Sequence, residues 1–300
     1  MNFERDMKNI ALFAMRVAQV AMLGAQWYVM GSDKACTGDR RIDGSHNEGY
    51  CESDGQISDY QLKNSQMARV IREGSTVIIN ASTKHSATVI LSHGLGDSAD
   101  GWTDAAEEMA RQLPHIKWIL PTAPTNPVTL NGGMRMPSWY DIESLSRSRS
   151  QQECKGINES TDNLHRIISA ENGRGIESSR IVLAGFSQGG AMSLWTGLQF
   201  PSSFQSRLAG VLVLSGYLPK EHAFSLSEHG KETPVLHCHG TIDAVVLPEF
   251  AEESRAKIMG AGHAAGYELR TYRGMAHSAN MQEIMDVIHW LGGIVPDIKT

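Results

Sequence analysis

The sequence predicts a doubly wound α/β fold built on a mostly parallel sheet. Three observations lead there. Short β-branched apolar runs alternate with helical periodicities from Ser75 to the C-terminus. The run ATVILS at 87–92 is nearly continuous in apolar character, as expected of a strand covered on both faces. A strand at 180–184 passes through a glycine-rich turn straight into a helix, the junction a parallel sheet makes at its carboxyl edge.

Taken in order, Thr76 to Asn80 reads as a short strand and Ala87 to Ser92 as a buried one. A helical pattern runs from Trp102 to Gln112, followed by a strand at Trp118 to Leu120 and a Pro-rich loop that continues to Ser150. Glu153 to Ala170 is helical and leads into the strand Arg180 to Ala184. The next helix, Gly189 to Phe200, is stopped by Pro201, which cannot continue it. Strands follow at Gly210 to Ser215 and Pro234 to His237. A helix at Glu249 to Met259, a strand at Tyr267 to Tyr272 and a helix at Ala279 to Leu291 complete the pattern, without internal repeat.

Composition limits what such a chain can do. Hydrophobic residues are 41% and charged residues 20% of 300, enough to build a core. The net charge of −6, with no basic run, argues against nucleic acid, whose affinity comes mainly from phosphate neutralisation. Cys36, Cys51, Cys154 and Cys238 are too scattered for a disulfide scaffold or a metal knuckle, so they read as reduced thiols of a cytoplasmic protein. Residues 1–74 read as an extension and 75–300 as a single catalytic domain. Within the extension, 10–30 carries apolar residues at helical spacing, but Arg16, Gln19 and Gln26 interrupt it, so no transmembrane span is expected. An amphipathic helix and a poorly ordered segment both stay open there. Residues 31–74, rich in Gly, Ser, Asp and Asn, read as a polar linker.

The chemistry gathers around Gly185-Phe186-Ser187-Gln188-Gly189. The pentapeptide alone is a weak signal in a chain with 29 glycines; its place between an apolar strand and a helix is what gives it meaning. Such a turn holds the serine hydroxyl out at the sheet's carboxyl edge, with small residues two positions either side so that the backbones can pack. A serine needs a base, and in this architecture Asp and then His follow it in the chain. Of the downstream histidines, His277 stands in a loop after the last strand, in GMAHS, and is the candidate base. His289 lies in a helix, His237 and His239 at a strand end read as structural, and His222, His229 and His263 have no motif around them. Asp243, after the turn at Gly240, is the carboxylate that would orient the imidazole; Glu249 and Glu252 look like the first turn of a helix. The oxyanion of acyl transfer needs two backbone donors. Gln188 and Leu95, the latter in His93-Gly94-Leu95-Gly96-Asp97, are the candidates, with His93 read as structural.

Four segments in this order, SHGLGDSADGW at 92–102, GFSQGGAMSL at 185–194, HCHGTIDAVV at 237–246 and GMAHS at 274–278, resemble the acyl-protein thioesterase family, the lysophospholipase-like carboxylesterases. The Pro- and Met-containing stretch 121–142 is similar to that family's loop. The resemblance implies an α/β-hydrolase fold and cofactor-free, metal-independent hydrolysis of acyl thioesters and esters, with S-acylated proteins or acyl esters as partners. It implies that Ser187, Asp243 and His277 form the triad and that Leu95 and Gln188 hold the oxyanion. It also implies acyl-chain contact near Trp139, Leu145 and Leu218. The first 74 residues depart from the family pattern, and a membrane-proximal helix there would bring transient contact with a membrane surface. Cys36 is then a candidate acylation site, and Arg147 and Arg149 a polar feature of the lid loop at 143–152. Two other readings stay open: a carboxylesterase for short esters, and a slow-turnover small-molecule receptor on the same fold.

Overall fold

A computed structural model describes residues 69–146 and 150–298. The expected helix at 10–30, the polar linker up to residue 68, Cys36, Arg147 and Arg149 lie outside the described residues. Eight strands form the main sheet. They are β1 (Val70–Glu73), β2 (Thr76–Ile79), β3 (Ala87–Ser92), β4 (Ile116–Leu120), β7 (Ile181–Phe186), β8 (Gly210–Leu214), β9 (Val235–Gly240) and β10 (Tyr267–Tyr272). Their order across the sheet is β1-β2-β4-β3-β7-β8-β9-β10. From β4 to β10 every neighbour is parallel, while β1–β2 and β2–β4 are antiparallel. The parallel sheet expected from the alternation of elements is therefore present, with an antiparallel hairpin added at one edge. β1 was not anticipated and starts ahead of residue 75; it is a mostly exposed edge strand (VIRE) with little apolar pattern to find.

Every residue of β3, β4, β7, β8 and β9 is buried, because helices cover both faces. Helices α1 (Asp100–Gln112) and α6 (Met281–Ile294) pack on one face, where Trp102, Met109, Val287 and Leu291 meet Val89, Val182 and Leu212. Helices α2 (Ile157–Gly173), α3 (Gln188–Leu198) and α5 (Pro248–Gly260) cover the other, where Leu164, Met192 and Phe250 share a cluster with Ile90 and Leu183. Strand residues two apart go to the same face, so Ile181 and Leu183 face α3 while Val182 and Ala184 face α1 and α6. A short helix, α4 (Glu228–Lys231), closes the link between β8 and β9. The segment expected to be loop from 121 to 150 contains a small ribbon, β5 (Thr125–Val128) paired antiparallel with β6 (Met134–Pro137). No helix among the described residues is long and apolar enough to cross a membrane.

Candidate active site

The carboxyl ends of β3, β7, β9 and β10 bring the site together. At β7, the chain turns from Phe186 into α3 through Ser187, whose φ of 54° and ψ of −117° are unusual for a residue with a side chain. Such a conformation costs on the order of 1–3 kcal/mol and persists because its surroundings over-determine it. Here the Ser187 N–H donates to the Leu214 carbonyl at 2.8 Å and the Ala191 N–H to the Ser187 carbonyl at 2.9 Å. The flanking glycines permit the turn. A Cβ on Gly189 would sit 2.1 Å from the Ser92 carbonyl oxygen, and one on Gly185 would sit 2.2 Å from the Gly189 backbone. The spacing read in the sequence is thus a requirement of backbone contact.

The Ser187 hydroxyl lies 2.9 Å from His277 Nε2, and His277 Nδ1 lies 2.7 Å from Asp243 Oδ2. Asp243 is buried, and its other oxygen, Oδ1, accepts the N–H groups of Val245 and Val246, each at 2.9 Å. A carboxylate only accepts, so His277 Nδ1–H donates to Asp243 and leaves Nε2 free to take the serine proton. The Phe186 ring packs on the His277 ring with centroids 4.8 Å apart. The loops carrying the acid and the base are stitched together: Ile242 N–H donates to the Met275 carbonyl at 3.1 Å and Gly274 N–H to Thr241 Oγ1 at 2.9 Å. Gly240 allows this approach, since a Cβ there would lie 2.1 Å from the Met275 carbonyl oxygen.

Leu95 sits in the loop after β3, whose Gly94 lies against Ser187: a Cβ on Gly94 would be 3.5 Å from Ser187 Cβ. Gly96 N–H donates to the Pro137 carbonyl at 2.9 Å, tying this loop to β6. His93 holds the loop from within. Its Nδ1–H donates to the Gly94 carbonyl at 2.6 Å, and its Nε2 accepts the Ala123 N–H at 3.0 Å. Burial pushes its pKa down to about 4, so the ring stays neutral and keeps both bonds.

Trp139 is 2% exposed, and its indole N–H donates to the His93 carbonyl at 2.8 Å. It also lines a cavity of about 350 Å³ with Pro121, Leu164 and Ile167. Leu145 is half-buried and packs on the core cluster that contains Trp139. Leu218 does not offer a wall to a substrate: it is 0% exposed, inside a cluster with Leu194, Leu198, Val211 and Val213. Next to Asp243 in the chain, Ile242, Val245 and Leu247 are 61%, 38% and 42% exposed.

Sequence reasoning missed the Gln188 side chain. Its Oε1 accepts the Trp139 N–H at 3.0 Å, and its Nε2 donates to the Tyr140 carbonyl at 2.7 Å and to Ser138 Oγ at 3.1 Å. One residue therefore contributes a backbone N–H at the elbow and clamps segment 138–140 from the side. An amide inside the G-x-S-x-G pentapeptide was the available signal. His239, which read as structural in the sequence, lies buried behind Asp243, and Tyr267 was not singled out.

Comparison with known proteins shows the family. Residues 73–294 match the family model described as phospholipase/carboxylesterase. The chain is 43% identical over 220 residues to acyl-protein thioesterase 1 of Yarrowia lipolytica, covering 72% of this chain and 95% of that one. It is 43% identical over 213 residues to the Schizosaccharomyces pombe protein of the same name, covering 70% and 92%. The crystal structure of acyl-protein thioesterase 2 from Zea mays superposes with a TM-score of 0.65 at 28% identity, covering 74% of this chain and 100% of that one.

Proposed function

The chain belongs to the phospholipase/carboxylesterase family, and from that premise we propose that it is a serine hydrolase of acyl thioesters and esters, acting on S-acylated proteins. The observation that carries the reading is the continuous hydrogen-bond path from Ser187 through His277 to Asp243. The residue roles are part of the proposal. His277 Nε2 takes the hydroxyl proton as Ser187 Oγ attacks the acyl carbonyl carbon, and Asp243 steadies the imidazolium that forms. The carbonyl π electrons move onto oxygen, which accepts the N–H groups of Leu95 and Gln188. The tetrahedral adduct collapses, the C–S or C–O bond breaks, and His277 returns the proton to the leaving thiolate or alkoxide. Water, deprotonated by the same histidine, then attacks the acyl-serine; a fatty acid leaves and Ser187 is regenerated.

The exposed Ile242, Val245 and Leu247 beside Asp243 favour an apolar acyl group over a polar one. We place the enzyme in the cytoplasm, meeting acylated proteins at a membrane surface. We assign catalysis to the unit 75–300 together with the edge strand β1 that pairs with it, and treat the residues before β1 as an extension. The test is a series of acyl thioesters of rising chain length, assayed on the full chain and on Ser187→Ala. The reading expects kcat/KM to rise from acetyl to long-chain substrates and to vanish in Ser187→Ala. A preference for acetyl would favour a short-ester carboxylesterase, and activity that survives the substitution would overturn the reading.

A further inference from the structure

Behind Asp243 lies a row of buried polar groups that the triad chemistry does not use. Residues 235, 237 and 239 of β9 alternate to the face that carries α3 and α5, so both histidines of HCHG point into the interior. Both are 0% exposed. His239 Nε2 is 2.8 Å from the Val246 carbonyl oxygen and 3.5 Å from Asp243 Oδ2. His239 Nδ1 faces His237 Nε2 at 3.4 Å, and His237 Nδ1 is 2.7 Å from the Tyr267 hydroxyl. Parallel pairing of β9 with β10 sets Tyr267 opposite Val235 and so brings its ring to His237.

We propose that His239 is a positioning residue for Asp243, held in one tautomer by His237 and Tyr267. The inference rests on the triad reading and deepens it. A carbonyl oxygen only accepts, so His239 Nε2 carries a proton and donates it to Val246. In the neutral ring Nδ1 is then an acceptor, which His237 Nε2–H satisfies. His237 Nδ1 is left to accept the Tyr267 hydroxyl proton. With both rings neutral, this arrangement gives every ring nitrogen a partner, and His237 has a further backbone hydrogen bond at Gly216. Burial pushes both pKa values down, His237 well below the usual imidazole range, which keeps them so.

The function of the row follows from where it ends. Val246 O is held by His239 while Val246 N–H and Val245 N–H hold Asp243 Oδ1. The turn that aims the carboxylate is thus clamped from both sides. His239 Nε2 also lies 3.5 Å from Oδ2, the carboxylate oxygen that His277 uses. A partner that orients a reacting group through one intervening bond is typically worth about 10–100-fold in activity.

The test compares full-length wild type with His239→Gln, His239→Leu and Tyr267→Phe. Glutamine fits the imidazole volume and can present an amide N–H to Val246; leucine fits it with no donor. Readouts are kcat and KM on p-nitrophenyl octanoate and the downfield proton NMR signal of the His277 Nδ1–H. His239→Leu is expected to lose about 10–100-fold in kcat at unchanged KM and to lose or shift that signal. His239→Gln is expected to restore both. Equal losses in the glutamine and leucine variants, or a wild-type signal in the leucine variant, would overturn the assignment. Should the leucine variant fail to fold, Tyr267→Phe decides. It leaves His237 Nδ1 without its donor and is expected to shift the signal and lower kcat severalfold, and wild-type values there would overturn the proposal. Titration of wild type with a fluorophosphonate separates the two levels. Absence of labelling removes the triad reading and this one with it, whereas full labelling with indifferent variants removes only this one.

Discussion

Replacing Gln188 by methionine probes the clamp between the nucleophile elbow and segment 138–140. Methionine fills the same space and keeps the backbone N–H. The site is 2% exposed, so water cannot take over the lost partners. The Trp139 N–H, which donates to Oε1 at 3.0 Å, becomes a buried orphan, at a cost of about 1–3 kcal/mol. The Tyr140 carbonyl keeps the Ser138 hydroxyl at 2.6 Å, so loss of the Nε2 bonds adds only about 1 kcal/mol. The expected destabilisation is about 2–4 kcal/mol, or a fall in Tm of about 4–16 °C for a domain of this size. Gln188→Glu should do worse, about 3–5 kcal/mol, because it places an unpaired charge against the Tyr140 carbonyl. Equilibrium urea unfolding by fluorescence and circular dichroism measures both. A loss below about 0.5 kcal/mol in either variant, the range of ordinary surface substitutions, would refute the clamp.

Other consequences are as direct. In Gly240→Ala the new methyl would lie 2.1 Å from the Met275 carbonyl oxygen, forcing the acid and base loops apart. We expect kcat to fall by about 10²-fold or more with the fold retained, read by ester kinetics beside circular dichroism. Glu283 is fully buried, and its burial outweighs the Asn280 backbone N–H beside its carboxylate, raising its pKa from 4.5 to about 8. The folded state therefore holds a proton that the unfolded chain has released, so stability falls as pH rises from 4.5 to about 8 and levels off above. Glu283→Gln should remove that slope and gain a few kcal/mol at pH 8, measured by urea unfolding at pH 5 and pH 8. An unchanged slope would mean that Glu283 is not the group responsible.

Legibility in the sequence followed the range of the interactions. The buried central strands were readable because both faces are covered and their residues are apolar in succession, as in ATVILS. The tight turn at Ser187 was readable because the backbone contacts that demand Gly185 and Gly189 are local. β1 was not, because an exposed edge strand carries no apolar stripe. The β5–β6 ribbon is mostly exposed and has a proline in each strand, though Asn131-Gly132-Gly133 between them was a turn signal. Leu218 was misplaced because an apolar residue near a strand end faces core or cleft according to how the sheet twists and packs. The row from Tyr267 to His239 depends on the pairing of two strands thirty residues apart, and no local pattern announces it.

In the proposed reaction Ser187 forms a covalent acyl intermediate. Rapid mixing of the full chain with p-nitrophenyl octanoate, quenched in acid and read by intact mass and peptide mapping, tests it most directly. The expected result is a p-nitrophenol burst of one equivalent per chain and an octanoyl adduct on the peptide containing Ser187, both absent from Ser187→Ala. Steady release without a burst or adduct, continuing in Ser187→Ala, would contradict it.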